Sequence, residues 1–181
     1  MSEWVALLRG INVGGKNLIK MAELAACFEA QGFTGVLTYI QSGNVLFSAA
    51  GAPAALTVKV EVALGKTFGY QASVVLRTRA QMKSIVERAP PGFGAKPALF
   101  RYDVAFLKEP LTAATAVKNV RAKDGVDTVQ AGTGVLYMSR LVAKASQSQL
   151  TRITSSPVYQ SMTIRNWNTT TKLLALMSAA R

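Results

Sequence analysis

Three observations predict an α+β fold in which two βαββαβ units follow one another and a C-terminal helix closes the chain. Short, nearly continuous apolar runs of strand length alternate with stretches of helical period. The order strand–helix–strand–strand–helix–strand occurs once before residue 78 and again after residue 98. The segment Ala89–Pro97, with three prolines and two glycines, separates the two halves.

Trp4–Arg9 reads as a buried strand followed by Gly10, and residues 10–20 as a polar loop. Met21, Leu24, Ala25 and Phe28 lie at i, i+3, i+4 and i+7, which predicts a helix over Met21–Gln31 with Gly32 as its C-terminal cap. Val36–Ile40 and Asn44–Ser48 are strands joined by the turn Gln41-Ser42-Gly43. Pro53 suits the first turn of a helix reaching about Phe68. Valine-rich Ala72–Arg77 makes a fourth strand, and Thr78 with Gln81 forms a capping box opening a connecting helix over 79–88.

Beyond the linker, Leu99–Lys108 is a long strand and Pro110 opens a helix to about Ala122. Val126–Gln130 and Val135–Ser139 are strands flanking the hairpin loop Gly132-Thr133-Gly134. Ser146 and Gln149 form a second capping box, with Leu150 and Ile153 on one helix face. A short strand near 158–164 and a helix after Asn168, with Leu173, Leu174 and Met177 inward, end the chain. The order makes each half ferredoxin-like, with a first subdomain at 1–88, a linker at 89–97 and a second subdomain at 98–181. The duplication rests on element order, because no residue-level repeat accompanies it.

Half of the residues are hydrophobic, enough to bury a core. No apolar run approaches the ~20 residues that span a bilayer, so no membrane association is expected. Met1-Ser2-Glu3-Trp4 lacks the basic start of a signal peptide, and the single cysteine, Cys27, precludes an internal disulfide. Both point to the cytoplasm. The chain has no histidine, which removes the commonest general base and zinc ligand. Its nine carboxylates show no metal-loop spacing, so neither metal nor cofactor is expected. The net charge is +12 and unevenly spread: +1 over residues 1–76, +7 over 77–123 and +4 over 124–181. That bias suits phosphates or nucleic acid, or simply a solvated basic surface.

Three polar constellations stand out. The first, Arg9-Gly10-Ile11-Asn12-Val13-Gly14-Gly15-Lys16-Asn17, joins adjacent glycines to two cations ahead of a helix, a pattern suited to anions. It is not a P-loop, because Asn17 stands where Ser or Thr must follow the lysine. The second, Tyr39-Ile40-Gln41-Ser42-Gly43-Asn44, places Gln41, Ser42 and Asn44 at a strand–turn–strand corner, where they supply either ligand groups or ordinary turn chemistry. In the third, Thr163–Lys172, Arg165 beside Asn166 and Trp167 offers a bidentate fork to a carboxylate or phosphate, and Asn168 or Thr169 caps the last helix. Cys27 sits in an amphipathic helix as a packed thiol.

Together, Val5–Asn17, Met21, Thr38–Val45 and Arg165–Thr169 resemble the signature of the bacterial DUF1697 family. The resemblance implies a cytosolic α+β protein with two ferredoxin-like repeats. It brings no activity, substrate or catalytic residue to carry over. The leading expectation is an anionic ligand, nucleic acid or a phosphorylated small molecule, bound at the Gly14-Gly15-Lys16 loop. Arg9, Asn12, Asn17, Gln41, Ser42, Asn44, Arg165, Asn166 and Asn168 are the accompanying candidates. Two alternatives stay open. One is a histidine-free enzyme whose site lies at the subdomain cleft and acts by orientation and electrostatics. The other is a protein-interaction module whose motifs are structural.

Overall fold

A computed structural model describes residues 1–179. The chain is a mixed α+β protein with two four-stranded antiparallel sheets and several helices. It divides into two units: Met1–Met82 with the chain from Leu173 onward, and Lys83–Lys172.

The first unit holds β1 (Ser2–Leu8), α1 (Met21–Glu29), β2 (Thr34–Tyr39), β3 (Asn44–Ala49), α2 (Pro53–Phe68) and β4 (Val74–Thr78). Its sheet order is β2-β3-β1-β4. β1 lies between antiparallel neighbours, with Trp4 opposite both Phe47 and Thr78. Residues alternate faces along a strand, so Trp4, Ala6 and Leu8 point to one side together with Val45 and Phe47. Leu24 and Phe28 from α1 and Val60 and Leu64 from α2 fill that side. Phe28, Phe33 and Phe47 form its aromatic centre, with centroids 4.6–6.0 Å apart. Each such ring contributes about 1.5–3 kcal/mol by burial. The helical spacing in the sequence thus identified the core face of α1. Pro53 opens α2, and Gly69 ends it at φ +68°.

The Thr78–Gln81 capping box forms in both directions. Thr78 N donates to Gln81 Oε1 at 2.8 Å, and Gln81 N to Thr78 Oγ1 at 3.2 Å. It opens α3 (Arg79–Glu87).

The second unit contains β5 (Phe100–Leu107), α4 (Ala113–Lys118), β6 (Asp127–Gly132), β7 (Val135–Leu141) and β8 (Met162–Asn166), together with the part of α5 (Trp167–Ala179) up to Lys172. Its sheet order is β6-β7-β5-β8. Two helices differ from expectation. Pro110 does not open α4. Thr112 does, because its hydroxyl accepts from Thr115 N at 3.2 Å. The helix stops at Asn119, whose side chain takes the Thr115 carbonyl at 2.9 Å.

The helix expected from Ser146 is instead a run of 3-10 turns, Val142–Gln147, Leu150–Ser155 and Tyr159–Ser161. Asp127 is the reason. Its carboxylate accepts from Ser148 Oγ (2.6 Å), Gln149 N (2.8 Å) and Lys123 N (3.0 Å). The amide that a Ser146 cap needed is therefore already committed, and Ser148 Oγ accepts from Leu150 N instead. Short polar side chains that bond the local backbone compete with a helix in this way.

Among the described residues no helix is long and apolar enough to cross a membrane. Among them, too, no group of three His, Cys, Asp or Glu side chains is placed to hold a metal.

Burial opposes the charge on Asp127, but the bonds from Ser148, Gln149, Lys123 and Leu150 outweigh it and hold the carboxyl below its ordinary value of 3.8. On acidification the unfolded chain takes up this proton first. The stabilisation is therefore complete above about pH 4 and is lost as pH falls through the lower folded value. Asp127→Asn should lower stability at pH 7 by roughly 1–3 kcal/mol and flatten the acid limb of a urea-midpoint-against-pH curve. An unchanged acid limb would mean that other carboxylates set it.

Candidate functional site

The first constellation is a closed loop. Asn12 organises it: Oδ1 accepts from Ile19 N at 2.8 Å, while Nδ2 donates to the carbonyls of Ile19 (3.1 Å) and Gln41 (2.9 Å). Asn12 N donates to Asn17 O at 3.1 Å, and Asn17 Nδ2 to Gly10 O at 2.9 Å. Asn12 and Asn17 have φ of +52° and +48°, a region asparagine tolerates. The tip turns through Gly14 and Gly15 at φ +59° and +74°, and Lys16 N bonds back to Val13 O. A Cβ on either glycine would meet nothing within 4 Å, so the backbone angle rather than a close approach calls for glycine. Lys16 stands exposed beyond the tip, and Arg9 is half-buried.

The second constellation locks onto the first. Gly43 has φ +80°, and a Cβ there would lie 2.6 Å from Ile11 Cδ1 and 2.9 Å from Leu8 Cβ. Its carbonyl accepts from Leu8 N at 2.8 Å. Asn44 is fully buried, donating to Tyr39 O (2.9 Å) and Ser42 Oγ (3.1 Å). Gln41 is exposed, and its backbone carbonyl is the group that Asn12 uses. The structure thus brings Asn12, Gln41, Gly43 and Asn44 together in the first unit as a joint between β1 and the β2–β3 corner.

The third constellation belongs to the second unit. Arg165 on β8 is 7% exposed, and its Nη1 donates to Thr163 Oγ1 and Ile164 O, both at 2.9 Å. Burial pulls the guanidinium down to about 10, still charged at neutral pH. Asn166, rather than Asn168 or Thr169, caps α5: its Oδ1 accepts from Thr169 N at 2.7 Å. The strand, expected near 158–164, begins four residues later and ends two residues later, at Asn166, which places Asn166 at the cap. Asn168 is exposed. Cys27 is 5% exposed, with its sulfur 3.5 Å from Thr67 Oγ1, a packed thiol as expected.

The sequence did not single out a basic concavity of the second unit. A cleft of about 550 Å³ in the second unit is lined by Lys118, Asn119, Arg121, Arg152, Ser155 and Ser156. Ser156 Oγ donates to Asn119 O at 3.1 Å and ties its two sides. Lys118 ends α4, Arg121 lies three residues beyond it, and Arg152 comes from the 3-10 turn Leu150–Ser155. None of the lining residues is acidic, and among the described residues none of the three cations forms an ion pair. Guanidinium forks, an ammonium and serine hydroxyls can together take up a phosphate group. The +7 segment was the available signal, but it supplied only half of the set.

Fold and cleft together define a small α+β protein with two antiparallel sheets and a cationic surface concavity. The chain belongs to the family described as "Protein of unknown function (DUF1697)", whose model matches residues 1–137. That span holds the first two constellations and ends before the third. The solved structure of conserved bacterial protein SP0830 from Streptococcus pneumoniae is similar over 98% of this chain and 99% of that one. The identity is 27% and the TM-score 0.85. No curated protein matches the sequence.

Asn12→Asp keeps the acceptor for Ile19 N but turns an oxygen toward two carbonyls. It should cost about 1–3 kcal/mol in urea unfolding. A loss below about 0.5 kcal/mol would show that the loop is held by other contacts.

Proposed function

We propose that this protein binds a phosphate-bearing anion, a phosphorylated small molecule or a nucleic-acid backbone, in the cleft of Lys118, Arg121 and Arg152. One observation carries the reading: three cations converge on one concavity with no acidic residue in its lining. Like charges held together cost free energy, which a bound anion relieves. The Gly14-Gly15-Lys16 loop is the weaker location. It presents one ammonium at an exposed tip, and its other polar groups are committed to closing the loop. The charge balance points the same way, since residues 83–172 carry thirteen basic and five acidic side chains.

The two units are ferredoxin-like halves in this reading. Support comes from the strand orders β2-β3-β1-β4 and β6-β7-β5-β8, in which the first and third strands of each half are central. The run of 3-10 turns stands in for the second helix of the second half. The lone buried cysteine suits a reducing cytoplasm.

Inorganic tripolyphosphate should raise the melting temperature of the wild-type chain, because a ligand selective for the folded state adds to its stability. Arg121→Gln with Arg152→Gln should abolish that rise and, without ligand, leave the protein as stable as wild type or more so. Single-stranded and duplex oligonucleotides at 50 and 200 mM salt separate the two sources, because backbone binding weakens steeply with salt. An equal response of wild type and double variant to tripolyphosphate would exclude the cleft.

A further inference from the structure

One face of the second sheet carries a row of aromatic rings. Register places Phe100 and Tyr102 of β5 on the same face as Tyr137 and Ser139 of β7 and Thr128 and Gln130 of β6. The opposite face, with Ala105, Leu107, Leu136 and Met138, packs on α4 and the 3-10 turns. Phe93 stands edge-on to Tyr102, Tyr137 and Trp167, with centroids 5.0, 5.4 and 5.0 Å away. The rings are fixed at their polar ends: Tyr137 OH donates to Ile85 O at 2.6 Å, and Tyr102 OH accepts from Lys96 N at 3.3 Å.

Two concavities flank this row, of about 270 and 290 Å³, and both are lined by Phe100 and Tyr102. The first adds Phe93, Thr128 and Gln130. The second adds Arg101, Asn166, Trp167 and Asn168, so the third sequence constellation contributes three residues to it. Gln130 and Asn168 are exposed amides at the rims, able to donate and accept. Phe93, Phe100, Tyr102 and Trp167 are half-buried, Tyr137 is buried, and Leu99 and Val142 beside them are 55% and 52% exposed.

We propose that these paired lobes bind single-stranded nucleic acid, with unpaired bases stacked against Phe100, Tyr102 and Trp167 and their edges met by Gln130 and Asn168. Phe100 and Tyr102 on the first strand of the sheet, with Trp167 at the start of α5, form a stacking surface for splayed bases, whereas Tyr137 on the third strand is 4% exposed. The net +8 of residues 83–172 complements the phosphates. A duplex does not fit this arrangement, because its bases are stacked on one another. The lobes and the phosphate cleft use different residues, so each proposal can fail alone.

Trp167 reports on the second lobe, since the other tryptophan, Trp4, is 4% exposed in the first unit. Titrating the full chain with a single-stranded decanucleotide, DNA or RNA, should quench its fluorescence saturably. An abasic decamer with the same phosphates should bind at least about tenfold more weakly, and Phe100→Ala and Tyr102→Leu should each weaken binding about tenfold. Gln130→Ala, at an exposed position, should change the ranking among bases with the fold intact. Arg121→Gln with Arg152→Gln should leave the abasic-to-normal ratio unchanged. The proposal is overturned by absence of saturable quenching, by equal affinity for the abasic strand, by tighter binding of a duplex, or by a mononucleotide or aromatic peptide binding as tightly as the decamer.

Discussion

At the β2–β3 corner, Leu8 and Ile11 occupy the space that a side chain at residue 43 would fill. That packing fixes three things together. It requires glycine in a left-handed conformation. It holds the corner against the end of β1 through the Leu8–Gly43 hydrogen bond. It also brings the Gln41 carbonyl within reach of Asn12, which then closes the loop leading into α1. These contacts join the two N-terminal motifs to one another through Leu8, Ile11, Asn12, Gln41 and Gly43. Glycines and asparagines at positive φ, and amides facing carbonyls, are what a tight joint between two backbone segments demands.

The strands and most helices were legible because each rests on a local pattern. β1 is a short apolar run, α2 opens at Pro53, and Thr78 and Gln81 lie three apart as a capping box must. Two failures are local, the caps Thr112 and Asn166, each of which bonds an amide three residues on; the others come from a partner distant in sequence. Asp127 takes the Gln149 amide from 22 residues away and replaces a helix with 3-10 turns. The basic cleft joins Lys118 and Arg121 to Arg152, which only the folded chain brings together. The aromatic row was hidden for a related reason. Phe100, Tyr102 and Tyr137 fit core positions equally well until register shows which face they share.

Charge and motif therefore divide between the units. Residues of the first unit build a rigid joint with little net charge, whereas residues 83–172 carry most of the excess positive charge and the cationic and aromatic concavities. Arg165 illustrates the difference between a charge and a site. It is the most conspicuous cation in the third constellation, yet it lies buried in the sheet and donates to Thr163 and Ile164. Its neighbours Asn166 and Asn168, both exposed, and half-buried Trp167 line a concavity. In the cleft, Lys118, Arg121 and Arg152 offer positive charge, and Ser155 and Ser156 offer hydroxyls.

The most direct test of this division is a backbone amide chemical-shift map of the isotopically labelled chain titrated with tripolyphosphate. Saturable shifts confined to the surroundings of Lys118–Arg121 and Arg152–Pro157, with residues 9–17 and 41–44 unmoved, are the predicted result. Shifts centred on Gly14, Gly15 and Lys16 would contradict it and make the N-terminal loop the binding site.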